Sequence, residues 1–204
     1  MRTLTRWLWA LLIAVVAVLQ FWERANRVAK PPRAPEAVVR YETLQNARLV
    51  DDNGNDGDSF KIAHAGGEHV FRLHFVDCPE KRDYALVSGR LKDQAEYFGG
   101  ISVARAVRVG QTAKLFTEKL LREGRFTVHT RWREVYDSGR FYAMVFFDDG
   151  EELSEKLVRA GLCRIHTAGT PLPDGRSEFD FESRLRALEH EARTAKRGAW
   201  GAIK

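Results

Sequence analysis

From about Glu42 onward, apolar and polar positions alternate in short runs. Residues 47–50 end at a turn cluster over 51–57, residues 59–62 follow, Ala65-Gly66-Gly67 makes a second turn, and residues 69–76 alternate again. Each run reads as a β-strand bounded by turn chemistry. Between residues 103 and 121 the period changes. Val109, Ala113, Phe116 and Leu120 step by four, three and four, and Gly124 stands where a helix would be capped. Residues 126–135 and 141–147 return to strand character around Asp137-Ser138-Gly139, which predicts a hairpin. A short helix over 153–160 stops at Gly161. A last helix begins near Ser177 and places Phe181, Leu185, Leu188, Ala192 and Ala195 on one face. Residues 81–102 carry no clear period: 90–98 allow a helical turn or two, ended by Gly99-Gly100. Five or so short strands with interspersed helices predict an α+β domain, a small five-stranded closed barrel of the oligonucleotide-binding type with about three helices.

A different pattern precedes this domain. Residues 7–22 contain one polar side chain, Gln20, and follow Arg2 and Arg6. That length lies between a signal-peptide core and a full membrane span. Trp7, Trp9 and Trp22 sit near its ends, where amphipathic rings favour the headgroup layer. Small-x-small cleavage motifs are poor: Val15-Val16-Ala17 falls inside the apolar run and Glu23-Arg24-Ala25 has the wrong first residue. The segment therefore reads as a retained N-terminal membrane-anchor helix rather than a cleaved signal. Residues 23–40, with Pro31, Pro32 and Pro35, read as a semi-extended linker, which leaves 41–204 as the folded domain. The expected location is outside the cytoplasm, tethered to the membrane and facing the periplasm or exterior, or secreted if residues 1–22 are removed.

Composition narrows the field only slightly. A hydrophobic share of 44% with 12 Phe is enough for a packed core and argues against wholesale disorder. Net charge is +5, but residues 1–22 hold two of the basic residues and no acid, so the domain is only mildly basic. That excess weakly favours a polyanionic partner. Cys78 and Cys163 are the two cysteines. Either they form one disulfide in an oxidising compartment or they stand as two separate thiols. No Cys or His pair has zinc-ligand spacing.

Candidate chemistry is concentrated in a few positions. Asp56-Gly57-Asp58-Ser59 is, taken alone, a turn signal. Val76-Asp77-Cys78-Pro79-Glu80 says more. Pro79 fixes its own φ and holds Cys78 extended, so Asp77 and Glu80 leave a strand end in rigid geometry. Arg72 stands among Phe71, Leu73 and Phe75 in the preceding strand, where a charge needs a partner. Strict alternation would put Arg72 and Asp77 on opposite faces, because they are five apart. Arg140 follows the turn at Ser138-Gly139. Three acids and two arginines gathered together would make a hard-cation site beside two phosphate-binding forks.

In these elements the chain resembles the staphylococcal nuclease (thermonuclease) family. The matching stretches run in family order from Asp56-Gly57-Asp58-Ser59 through Phe71-Arg72-Leu73, the Val76 to Glu80 run and Ser138-Gly139-Arg140. Leu157-Val158-Arg159-Ala160-Gly161-Leu162 and Lys196-Arg197-Gly198-Ala199-Trp200 complete the set. The resemblance implies a calcium-dependent endonuclease acting on DNA and RNA with low sequence specificity, single strands preferred, and working as a monomer. By carry-over, Asp58, Asp77 and the main-chain carbonyl of Cys78 would hold Ca²⁺, Glu80 would activate water, and Arg72 and Arg140 would grip phosphate. The family's aromatics before the Gly-Arg turn and beyond the Gly-Leu segment are replaced here by Ser138 and Thr167, with Tyr136 and His166 as the nearby substitutes. The competing expectation is a non-catalytic module of the same barrel type that binds nucleic acid or protein on the cell envelope.

Overall fold

The computed structural model describes residues 39–201, which belong to one compact unit. The anchor predicted over 1–22 and most of the linker lie outside the described residues. Among the described residues, no helix is long and apolar enough to cross a membrane.

The order of elements is β1 (Glu42–Leu44), β2 (Arg48–Leu49), β3 (Ser59–His64), β4 (Gly67–Leu73), β5 (Val76–Asp77), α1 (Ser88–Tyr97), α2 (Val103–Glu123), β6 (Phe126–Glu134), β7 (Arg140–Phe147), α3 (Leu153–Arg159), β8 (Arg164–Ile165), α4 (Glu178–Thr194) and a final 3₁₀ turn, Gly198–Trp200. The α+β class is as expected, but two details are corrected. Among the described residues there are four α-helices rather than three, because α1 runs for ten residues where one or two turns were expected. The barrel is also not closed. Six strands form one sheet in the order β1-β6-β7-β4-β3-β2, and β5 and β8 form a separate two-stranded ribbon. The two edges, β1 and β2, are successive pieces of chain divided at Asn46, whose φ of 55° turns the backbone out of extended geometry. The bond from Ala65 N to Gln45 O, at 3.4 Å, bridges that corner.

The sheet's inward face is apolar as alternation requires. Phe60 and Ile62 of β3, Phe71 and Leu73 of β4 and Val145 of β7 are fully buried. Each such side chain contributes roughly 1.5–3 kcal/mol on burial. Helix α2 lays Val109, Ala113 and Leu121 against this core and Ala106 against Leu91 and Ala95 of α1, and Ser102 caps its start by accepting from Arg105 N. Helix α3 begins with a reciprocal capping box between Glu152 and Glu155. The final turn returns to α3's end through Ala199 N donating to Gly161 O at 2.9 Å. That contact joins two stretches that sequence places almost forty residues apart.

Candidate active site

The site is built where β4 runs into β5. Leu73 ends β4, and two residues later Phe75 adopts φ 67°, a left-handed conformation that costs a non-glycine residue strain. The surroundings hold it there. Phe75 N donates to Ala168 O at 3.4 Å, its carbonyl accepts from His166 N at 2.9 Å, and its ring meets Phe181 edge-on at 4.9 Å. The bend breaks the alternation of the strand, and Arg72 and Asp77 converge despite their odd spacing. Arg72 Nη2 donates to Asp77 Oδ1 at 2.6 Å, and Arg72 Nη1 lies 3.0 Å from Asp58 Oδ1. One buried guanidinium thus spans both aspartates.

Helix α2 holds the two acid-bearing loops at fixed depth. A methyl group at Gly57 would meet Ala113 Cβ at 2.6 Å, and one at Gly110 would meet the Pro79 carbonyl oxygen at 2.2 Å. Neither position has room for a side chain, so the turn before β3 and the Pro79-Glu80 loop are both pressed onto the helix. Thr117 Oγ1 donates to Gly57 O at 2.7 Å and fixes the first of them. Lys81 joins the two loops, its ammonium donating to the carbonyls of Asn53 at 3.0 Å and Gly54 at 2.9 Å, and also to that of Asn55.

The other side of the cluster comes from α1 and β8. Gln94 of α1 is fully buried. Its Nε2 donates to Asp77 Oδ2 at 2.8 Å and to Cys78 O at 3.0 Å, while its Oε1 accepts from Glu80 N at 3.2 Å. Arg164 of β8, paired in register with Asp77, donates from Nε to Asp77 Oδ2 at 2.8 Å. Cys78 N donates to Asp58 Oδ2 at 2.5 Å. Cys78 and Cys163 are joined in a disulfide, which resolves the open question about the two thiols. Their sulfurs lie within 4.8 Å of an Asp58 carboxylate oxygen. Bonded to each other, they are not thiolate ligands for a metal.

The charges in this cluster are crowded. Burial pushes the Asp58 carboxyl up to about 7, with Asp56 and Asp77 adding to the rise and Arg72 opposing it. Burial also raises Asp56, against the pull of Lys81 and Arg72. Burial raises Asp77 too, but Arg72, Gln94 and Arg164 together outweigh it and hold that carboxyl below the usual range. Arg72 itself is held more firmly protonated than a free arginine: burial works against its charge, and Asp58 and Asp77 more than compensate.

Of the predicted site residues, Arg72 bonds both Asp58 and Asp77, and Cys78 is tied to Asp58 and Gln94 through its backbone. Arg140, at the start of β7, opens onto the same pocket of about 210 Å³, lined by Arg72, Asp77, Arg90, Arg164 and Tyr136 among others. Among the described residues, the Arg140 side chain bonds Ser138 Oγ at 3.1 Å and Ser59 Oγ at 3.5 Å. The Glu80 carboxylate pairs with Arg90 of α1. His74, between β4 and β5, is a packed residue. Its Nδ1 bonds Ala168 O at 2.9 Å, its ring stacks on Tyr142 at 4.7 Å, and burial lowers its pKa to about 4. Tyr136 is 89% exposed at the pocket mouth, and His166 lines its wall.

Sequence reasoning missed Gln94, Arg90 and Arg164. Leu91, Gln94 and Ala95 are the buried positions of α1, so a polar residue inside that short stripe was a signal once the helix was recognised. Arg164 lies in a two-residue strand with no period to mark it.

These elements, in this order, have a counterpart among known families: a model described as staphylococcal nuclease homologue matches residues 70–202. The chain belongs to this family. No curated protein matches it closely. Family members are generally nucleases, so membership carries nucleic-acid binding with it and places this site in a nuclease-type domain. The turn holding Asp58 precedes the matched stretch, and its contacts with Arg72 and Cys78 N join it to the family's portion of the chain.

Proposed function

We propose that this protein is a calcium-dependent endonuclease that hydrolyses phosphodiester bonds of DNA and RNA with little sequence preference. The observation that carries the reading is Arg72, spanning two buried aspartates at the edge of a pocket whose other wall carries Arg140.

The donor set fits a hard divalent cation. Asp58 and Asp77 turn carboxylate oxygens toward one guanidinium, the Cys78 carbonyl shares Gln94 Nε2 with Asp77, and every available ligand atom is oxygen. Burial, with Asp56 and Asp77 close by, raises the Asp58 carboxyl, and a bound cation would favour its charged form. A Ca²⁺ ion held by Asp58, Asp77 and the Cys78 carbonyl would supply charge opposite the phosphate oxygens, where negative charge grows during attack. The chain's own groups do the rest. Arg140, with no carboxylate partner among the described residues, is ready to take a phosphate oxygen pair in its planar fork. Glu80 accepts the proton of the attacking water at a carboxylate oxygen, contributing about 10²–10⁴ in rate. Gripping phosphate instead of reading base edges makes the enzyme tolerant of sequence. Tyr136, exposed beside Arg140, offers a face for an unpaired base, which favours single strands. We further propose that the chain works as a monomer outside the cytoplasm, anchored through residues 1–22 or secreted. A disulfide within a nuclease domain suits an oxidising compartment.

The test is degradation of single-stranded DNA and of RNA by the purified chain with calcium, with magnesium and with chelator in parallel. Cleavage with calcium that stops with chelator is expected, and Glu80→Gln and Arg72→Lys should each lose most of it. Full activity in both variants overturns the assignment. Salt-sensitive binding with no cleavage under any condition would replace it with the non-cutting module.

A further inference from the structure

Four arginines line the pocket, and they are not equivalent. The side chains of Arg72 and Arg164 are 10% and 7% exposed and are committed to buried aspartates. Arg140 has no carboxylate partner among the described residues. Arg90 combines two properties the others keep apart: it pairs with a carboxylate, Glu80, yet its side chain is 45% exposed, and the residue lines the pocket. Its position follows from α1. Arg90 stands one helical turn before Gln94, so the two side chains rise from one face of the helix. Gln94 fixes the backbone of the Cys78 to Glu80 loop, and Arg90 reaches the Glu80 carboxylate at its end. An ion pair with one partner nearly half exposed is cheap to break, whereas a buried pair such as Arg72 with Asp77 is not.

We propose that Arg90 is a third phosphate-gripping arginine, held by Glu80 when no nucleic acid is bound and transferred to the substrate's phosphate when nucleic acid enters the pocket. A phosphate between Arg140 and Arg90 offers the guanidinium a second anion, and its planar fork can turn from carboxylate to phosphate. The same movement releases Glu80 from its partner, so the group proposed to accept a proton from water is freed only when substrate is present. The inference rests on the nuclease reading of this site and adds a residue and a coupling to it.

The experiment measures binding of a short fluorescein-labelled single-stranded oligonucleotide by anisotropy, in chelator so that no variant cuts. Four chains are compared: wild type, Glu80→Gln, Arg90→Ala and the double variant. Glu80→Gln removes the competing carboxylate and should bind more tightly than wild type. Arg90→Ala should bind about tenfold more weakly, the loss of one charge-assisted contact. Its logarithmic salt slope should fall by roughly 0.7, one phosphate contact on a single strand. The double variant should match Arg90→Ala, because Glu80 acts on binding only through Arg90. A purely structural Arg90 would leave the salt slope unchanged and would let Glu80→Gln keep its effect in the double variant. If Arg90→Ala fails to fold, Arg90→Gln carries the same comparison. Unchanged binding in Arg90→Ala, with calcium-dependent cleavage by wild type intact, overturns this inference alone. Absence of both binding and cleavage in wild type overturns the nuclease reading as well.

Discussion

Replacing Arg72 by methionine asks directly whether the aspartate pair is a cation site. The wild-type guanidinium makes two charged contacts, to Asp77 Oδ1 at 2.6 Å and to Asp58 Oδ1 at 3.0 Å, and both carboxylates are almost wholly buried. Methionine keeps most of the stem volume and removes the charge. Breaking a buried pair by deleting one partner costs about 3–5 kcal/mol, because the remaining charges are stranded. For a domain of this size that is roughly a 10 °C fall in melting temperature. The loss should depend on what else fills the site. With the guanidinium gone, Ca²⁺ no longer competes with an internal cation, and a ligand at one hundred times its Kd returns about 2.7 kcal/mol. Thermal unfolding of wild type and Arg72→Met, each with calcium and with chelator, reads both effects without any activity assay. Calcium should raise the variant's melting temperature more than the wild type's, and magnesium should do so less. If calcium leaves the melting temperature of Arg72→Met where chelator leaves it, Asp58 and Asp77 do not hold a metal.

Two further outcomes follow from contacts elsewhere. Replacing both Cys78 and Cys163 by serine opens a loop of 85 residues; on loop entropy this lowers stability by at most about 4–5 kcal/mol, read from urea unfolding, and a loss near zero would refute the accounting. His74 is held neutral, its pKa lowered to about 4 by burial, while in the unfolded chain it takes a proton near its ordinary 6.5; the stability it contributes is present above pH 6.5 and is lost as pH falls through about 4. Wild type should therefore lose roughly 3 kcal/mol across that window relative to His74→Phe, and parallel urea midpoints for the two chains between pH 7 and 4 would contradict it.

Much of this fold was legible because its signals are long. Val109, Ala113, Phe116 and Leu120 announce α2, and Phe181, Leu185 and Leu188 announce α4, since a helix face repeats often enough to be seen. Helix α1 buries only Leu91, Gln94 and Ala95 within its ten residues, too short a stripe to stand out. Strands β5 and β8 have two residues each, below the length at which alternation means anything. The open edge of the sheet depends on the backbone at Asn46, a conformation that asparagine tolerates but does not dictate. At the site, residue types were readable and their meeting was not. Alternation placed Arg72 and Asp77 apart, and the left-handed Phe75 that reunites them is stabilised by partners near residues 166–168 and 181, about a hundred positions away. Gln94 reaches Asp77, Cys78 and Glu80 from 14 to 17 positions away and Arg164 reaches Asp77 from 87, contacts that local spacing cannot encode.

The bridge between Cys78 and Cys163 has a consequence for survival among proteases. It ties together the two flanks of everything from Pro79 to Leu162, including the exposed stretch at Tyr84 and Leu86, where a protease finds easy access. One scission there would yield two fragments still covalently attached, with Asp77 and Arg164 kept side by side at the junction. A chain nicked in that stretch would run as two bands only after reduction.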